Sequence, residues 1–240
     1  MRECRVIRTV LAGAVLSAGA CGGDSGAKPE TQPAVPVESS TVASAPATNG
    51  VRVLIVGTSL TAGLGLAPDS AYPAVMQRLA DSAGFRARIV PAGLSGETSA
   101  GALRRVDWLL RDSADVVVIE TGANDGLRGL DADTTRANLV AIIRKVRAAN
   151  PRARVLLAQM EAPPNLGARY TRTFHEAYMT VAREEGVTLV PFFLEGVAGD
   201  PAMNQDDGIH PNLEGSRRAA RNMWRTLGPV LRDLPGARGR

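Results

Sequence analysis

Apolar residues alternate between two patterns along positions 51 to 227. Short apolar runs at Val51–Val56, Arg88–Pro91, Val116–Glu120, Val155–Gln159 and Val187–Pro191 are bounded by turn-forming residues. Buried parallel strands read this way, because both of their faces are covered. Between the runs the period lengthens to that of a helix. Tyr72–Ala83 puts Val75, Met76 and Leu79 on one face, and Thr98–Arg111 turns Leu103, Val106, Leu109 and Leu110 inward. Thr134–Ala149 (stopped by Asn150-Pro151), Tyr170–Glu185 and Pro211–Leu227 complete the set. Strands alternating with helices predict an α/β protein of flavodoxin-like layering: a three-layer α/β/α domain with a five-stranded parallel sheet. The expected domain runs from residue 51 to 230, with a short tail over 231–240 and no internal repeat.

Before residue 51 the pattern is different. Arg2, Arg5 and Arg8 make a basic start, and Val10–Ala20 is apolar and rich in small residues. This reads as an export signal over residues 1–20, too short to span a bilayer as a mature helix. It ends Ala18-Gly19-Ala20-Cys21, which resembles a bacterial lipobox, although Leu is usual where Ala18 stands. The resemblance implies a lipid on Cys21 and attachment to a membrane facing the periplasm or cell exterior; ordinary cleavage near Ala20 is the alternative. Residues 21–50 then form a tether of Gly, Pro, Ser, Thr and Ala with no aromatic residue. Such a segment cannot bury enough apolar surface to order itself, and as a flexible chain it reaches ~30 Å.

Composition narrows the chemistry. A net charge of +4 without any basic stripe gives no reason to expect a nucleic-acid partner. Both cysteines, Cys4 and Cys21, precede the domain, so it has no thiol framework for zinc or disulfides. The only histidines are His175 and His210. His175 lies mid-helix among polar residues and reads as surface. Asp206 and Asp207 with His210 lack further ligands for a zinc site, and no phosphate-binding or dinucleotide-binding glycine pattern is complete. No cofactor is expected.

Four patches lie past strands or in loops: Gly57-Thr58-Ser59-Leu60, Ala92 to Thr98, Gly122-Ala123-Asn124-Asp125-Gly126, and Asp206 to Pro211. A parallel sheet brings the first three to one edge, where α/β proteins bind ligands. Ester cleavage needs a nucleophile, a base and oxyanion donors. Ser59 suits the first role, though a serine there could equally cap the next helix. Glycine at 57 is expected to allow a sharp turn. His210 suits the second role, with Asp207 three residues earlier able to fix its tautomer. Pro211 is expected at the first helical position, with His210 at the helix start. The N–H groups of Ser59 and Gly96 and the amide of Asn124 suit the third role, glycine at 96 permitting close approach to a substrate. Asp125 reads as a turn former.

Taken together, the patches resemble the SGNH, or GDSL, hydrolase family, whose Ser, Gly, Asn and His follow the order of Ser59, Gly96, Asn124 and His210. The stretches Gly122–Gly129 and Val190–Gly196 are similar to its bacterial thioesterase, lysophospholipase and arylesterase branch. The resemblance implies a metal-free serine esterase acting through an acyl-serine on short to medium acyl esters, thioesters or lysophospholipids. A carbohydrate O-acetylesterase and a non-catalytic binding lipoprotein on the same fold are the alternatives. Thr58 departs from the family, which has Asp before the nucleophile. That position could act on the base by charge, or hydrogen-bond the loop, a role a threonine hydroxyl can partly fill.

Overall fold

A computed structural model describes residues 50–238. The signal, Cys21 and most of the tether lie outside the described residues. The chain forms β1 (Val51–Gly57), α1 (Ser59–Ala62), α2 (Tyr72–Ser82), β2 (Ala87–Gly93), α3 (Ser99–Leu109), β3 (Val116–Ile119), α4 (Ala123–Leu127), α5 (Ala132–Ala149), β4 (Arg154–Ala158), α6 (Ala168–Glu184), β5 (Thr188–Val190) and α7 (Leu213–Arg232). The strands make one parallel sheet in the order β2-β1-β3-β4-β5. Helices α2 and α7 pack together, as do α3 with α5 and α5 with α6, giving three α/β/α layers.

The central strands form because they are apolar on both faces. Val53, Ile55, Val56, Val116 to Ile119, Leu156 and Leu157 are all fully buried, each such side chain contributing about 1.5–3 kcal/mol. The edge strand β2 extends from Ala87 to Gly93, beyond its predicted run on both sides, and its edge position tolerates Arg88 and Pro91. Gln77 of α2 also blunts this edge, donating to the Ala87 carbonyl at 2.8 Å and accepting from Ile89 N–H at 2.8 Å, as a neighbouring strand would.

The order 2-1-3-4-5 reverses direction at β1. The crevice between the carboxyl ends of β1 and β3 is therefore the topological switch point, the usual ligand site of such sheets. Ser59 lies one residue past β1, and Asn124 lies just beyond β3.

Two expectations need correction. Residues 231–238 are not a tail: α7 runs to Arg232, Leu231 and Ala237 are buried, and Arg86 N–H bonds the Ala237 carbonyl at 2.7 Å. The Asn124 patch lies past β3 as expected, where it forms the short helix α4. Pro211 does not open the last helix. Asn212 caps it, its Oδ1 accepting from Glu214 and Gly215 N–H at 3.0 Å each, and Pro211 instead bridges to Asn204.

Candidate active site

Ser59 begins α1 and is buried, with its hydroxyl 2.9 Å from Nε2 of His210. Nδ1 of His210 lies 2.6 Å from Oδ2 of Asp207. With Asp207 ionised, Nδ1 carries the imidazole proton and donates it, leaving Nε2 to accept from the serine hydroxyl. Asp207 also shapes its own turn, since Oδ1 accepts from the N–H groups of His210 and Ile209 at 2.9 Å each. The His210 N–H, the His210 ring and the Ile209 N–H, in that order, hold its carboxyl at about 2.

His210 is not held by a helix start. Two chain segments clamp it: Gln205 N–H donates to the His210 carbonyl at 2.8 Å, and Asn212 N–H to the Met203 carbonyl at 2.9 Å. The Gln205 amide then donates to the Pro211 carbonyl at 3.0 Å and the Leu64 carbonyl at 2.8 Å. It thus ties the histidine loop to the chain just beyond Ser59. The sequence reading missed Gln205, whose partner Leu64 is 141 residues away.

The expected oxyanion donors other than Ser59 N–H lie on the Gly96 turn and in α4. Neither Ser59 N–H nor Gly96 N–H donates to a described protein acceptor. Gly96 has φ +77°, and a Cβ there would meet nothing closer than Arg128 Nη2 at 3.8 Å. Glycine is required for its left-handed backbone rather than for want of space. Asn124 Nδ2 donates one hydrogen to the Glu97 carbonyl at 2.9 Å, which leaves its second hydrogen free to face a substrate.

Arg105, another residue missed from sequence, braces these turns. It pairs with Glu97 at 2.6 and 2.7 Å, and its Nη2 donates to the carbonyls of Gly57 at 3.0 Å and Ala92 at 2.9 Å. Asp125 is more than a turn former. Buried, it accepts from Ser99 N–H at 2.8 Å and Ser99 Oγ at 2.5 Å, capping α3 and fixing α4 beside it. No imidazole completes that serine–carboxylate contact, because His175 pairs with Glu161 at 2.7 Å and with Gln159 at 2.9 Å. His175 is a partly exposed surface residue, as expected, and is hydrogen-bonded.

Gly57 has a different reason from the expected turn. It ends β1 in extended register with Gly93. A Cβ there would overlap Thr61 Oγ1 and lie 2.5 Å from Oε2 of Glu120. Thr58 is fully buried, and its hydroxyl donates to Glu120 at 3.0 Å. Its hydroxyl therefore bonds a buried carboxyl group beyond β3 and not the loop backbone, the role expected for it.

Comparison with known proteins agrees with this architecture. Residues 55–218 match the GDSL-like lipase/acylhydrolase family. The chain is 46% identical to esterase TesA of Pseudomonas aeruginosa over 75% of this chain and 89% of that one. It is 39% identical to thioesterase 1/protease 1/lysophospholipase L1 of Escherichia coli K12 over 75% and 84%. The crystal structure of the psychrotrophic esterase EstA from Pseudoalteromonas sp., inhibited by monoethylphosphonate, superposes with a TM-score of 0.71. It is 33% identical, over 76% of this chain and 99% of that one. The family match covers β1 from Ile55 on, the other four strands and all four sequence patches, and the chain therefore belongs to the GDSL-like lipase/acylhydrolase family of serine-type carboxylic ester hydrolases.

Proposed function

We propose that Ser59 is the nucleophile, His210 its general base and acid, and Asp207 the carboxylate that orients the imidazole. Ser59 N–H, Gly96 N–H and the free Asn124 amide hydrogen receive the oxyanion. The observation that carries this reading is the unbroken relay from Asp207 through His210 to Ser59, at 2.6 and 2.9 Å. Ser59 Oγ attacks the acyl carbonyl carbon as its proton passes to Nε2. The tetrahedral intermediate collapses, and the leaving alkoxide or thiolate takes that proton. Water then gives a proton to Nε2 and attacks the acyl-serine, and the carboxylic acid departs as Ser59 regains its hydrogen.

The acyl chain lies along an open apolar rim. A cavity beside Ser59, lined by Leu64, Leu66, Phe193 and Leu194, has only about 10 Å³ free, room for no more than one water. Leu94, Leu127 at the end of α4, Leu130 and Leu166 are instead exposed around the proposed oxyanion site. Such a rim suits acyl esters, thioesters and lysophospholipids of short to medium chain, and it gives an acetyl group little to touch. This disfavours a polysaccharide O-acetylesterase. Among the described residues no helix is long and apolar enough to cross a membrane. Attachment through a lipid on Cys21, with residues 21–50 as tether, would hold the enzyme at a membrane outside the cytoplasm. Mass spectrometry of the mature N-terminus tests it; an unlipidated Cys21 would refute it.

A phosphonate ester probe tests the chemistry. Wild-type protein should be labelled once, on Ser59, and Ser59→Ala should lose both labelling and nearly all turnover while keeping its melting temperature. Labelling of Ser59→Ala at another serine would overturn the assignment.

A further inference from the structure

Beneath the nucleophile turn lies a buried acid that the hydrolytic steps do not use. Glu120 follows the apolar run of β3 and is fully buried. Its Oε2 accepts from Thr58 N–H at 3.0 Å and Thr61 Oγ1 at 2.6 Å, and its Oε1 accepts from Thr58 Oγ1 at 3.0 Å. Thr58 and Thr61 flank Ser59, so one carboxyl group grips both sides of the nucleophile's turn. Tyr72 of α2 lies 2.7 Å from Thr61 Oγ1, and because Thr61 gives its hydrogen to Glu120, Tyr72 is the donor there. The missing Cβ of Gly57 makes room for the same contact.

We propose that Glu120 is a positioning residue for the nucleophile, its Oε2 holding the Ser59 turn while Thr58 keeps that hold intact in either protonation state of the carboxyl group. The proposal rests on Ser59 being the nucleophile. Oε2 faces two hydrogens and has no acceptor to receive a proton of its own. Oε1 faces only the Thr58 hydroxyl, which can donate to a carboxylate or turn and accept from a carboxylic acid. Protonation therefore falls on Oε1 and leaves both bonds at Oε2 in place. Both states matter near neutrality: burial pushes the carboxyl up to about 7, against the pull of the Thr61 and Thr58 donors.

The groups around Glu120 leave it no competing charge partner. Tyr72 and Tyr178 of α6 are both pushed up, first by burial, and stay neutral. Arg105 binds the Gly57 carbonyl and spends its charge on Glu97. Among the described residues no cation forms an ion pair with Glu120. An aspartate at 58, the residue the family has there, would set a second carboxylate against Oε1 with no hydrogen to give. The two would share one proton, and the turn would titrate with it.

The test is the pH dependence of kcat and KM on a chromogenic ester from about pH 5 to about pH 9, with phosphonate labelling rates. Glu120→Gln places an amide oxygen at Oε2 and an NH₂ facing Thr58, reproducing the protonated state. It should keep at least a third or so of kcat with the wild-type pH profile. Glu120→Leu should lower kcat and the labelling rate by roughly 30-fold with KM changed less than about threefold, the mark of a displaced nucleophile. Thr58→Asp should add a second ionisation to the acid limb of kcat/KM. Full activity in Glu120→Leu, an equal loss in Glu120→Gln, or an unchanged limb in Thr58→Asp would each overturn the proposal. If Glu120→Leu does not fold, the other two arms decide. Retained labelling in Ser59→Ala would instead defeat the assignment of the nucleophile and leave the grip on the turn to be read from melting temperatures.

Discussion

The two sides of the site are built on carboxylates with opposite surroundings. On the Ser59 side, Glu120 is fully buried and its carboxyl is raised to about 7, first by burial. On the His210 side, Asp207 has a side chain 45% exposed, and its carboxyl is lowered to about 2 by the His210 and Ile209 donors. The buried acid tolerates protonation because what it supplies is an acceptor oxygen. The exposed acid must stay ionised because what it supplies is a tautomer. The scaffold differs in the same sense. The Ser59, Gly96 and Asn124 segments are joined mainly by side chains from distant elements, whereas the His210 loop is clamped by backbone hydrogen bonds with Gln205 as its one long-range side-chain tie.

The sharpest break of this comparison is Asp207→Asn. The amide oxygen can still accept from Ile209 and His210 N–H, so the loop keeps its shape. Its NH₂ group would face Nδ1 and favour the wrong tautomer. kcat should fall by about 10⁴-fold, as in serine proteases with the same change, with little loss of melting temperature. A large stability loss with modest kinetics would show that Asp207 serves the turn more than the base.

Asn124→Ala should lower kcat by about 10²–10³-fold, the usual cost of one oxyanion donor. KM should change little, because the interaction strengthens only as charge develops. A change confined to KM would place Asn124 in substrate binding instead.

How much of this was legible follows from the reach of each interaction. Central strands announce themselves because burial on both faces forces an apolar run, as at Val116 to Ile119. Ser59, Gly96, Asn124, Asp207 and His210 stand out by residue type and chain order, each beside a turn. The residues that hold them in place do not. Thr58 meets Glu120 across 62 positions, Arg105 meets Gly57 across 48, and Gln205 meets Leu64 across 141. No local pattern encodes such pairs. Glu120 left one trace, a lone acid closing an otherwise apolar strand, and the strand reading absorbed it. His210 also looked helical because Pro211 favours a helix start, yet the Asn212 side chain supplied the cap.

Arg105→Met tests the brace on the Ser59 side. The Arg105–Glu97 pair is mostly buried, with side chains 22% and 4% exposed. Removing one partner of a fully buried pair costs about 3–5 kcal/mol, so a partly solvated one should cost about 2–3 kcal/mol in chemical denaturation. kcat should fall more than KM rises, because the Gly57 and Ala92 carbonyls lose their common donor. Stability loss with unchanged kcat would make the brace purely structural.

The smallest effect is a pH slope in stability, and the two carboxylates set its sign in separate windows. Glu120 has a folded value, about 7, above its ordinary 4.5. Its contribution is full below about 4.5 and is lost as pH rises toward about 7, because over that range the folded protein binds a proton that the unfolded chain has released. The shift corresponds to at most ~3 kcal/mol. Asp207 runs the other way: its contribution is full above 3.8 and is lost as pH falls through about 2, and solvent exposure keeps it small. Denaturant melts of wild type and Glu120→Gln should therefore diverge between about pH 4.5 and about pH 7, with wild type losing stability relative to the variant as pH rises. The two should run parallel below that window, where Asp207 titrates alike in both. Parallel curves throughout would mean that Glu120 ionises in the folded protein as easily as in the unfolded chain, and that the contrast between the two sides of the site lies in geometry alone.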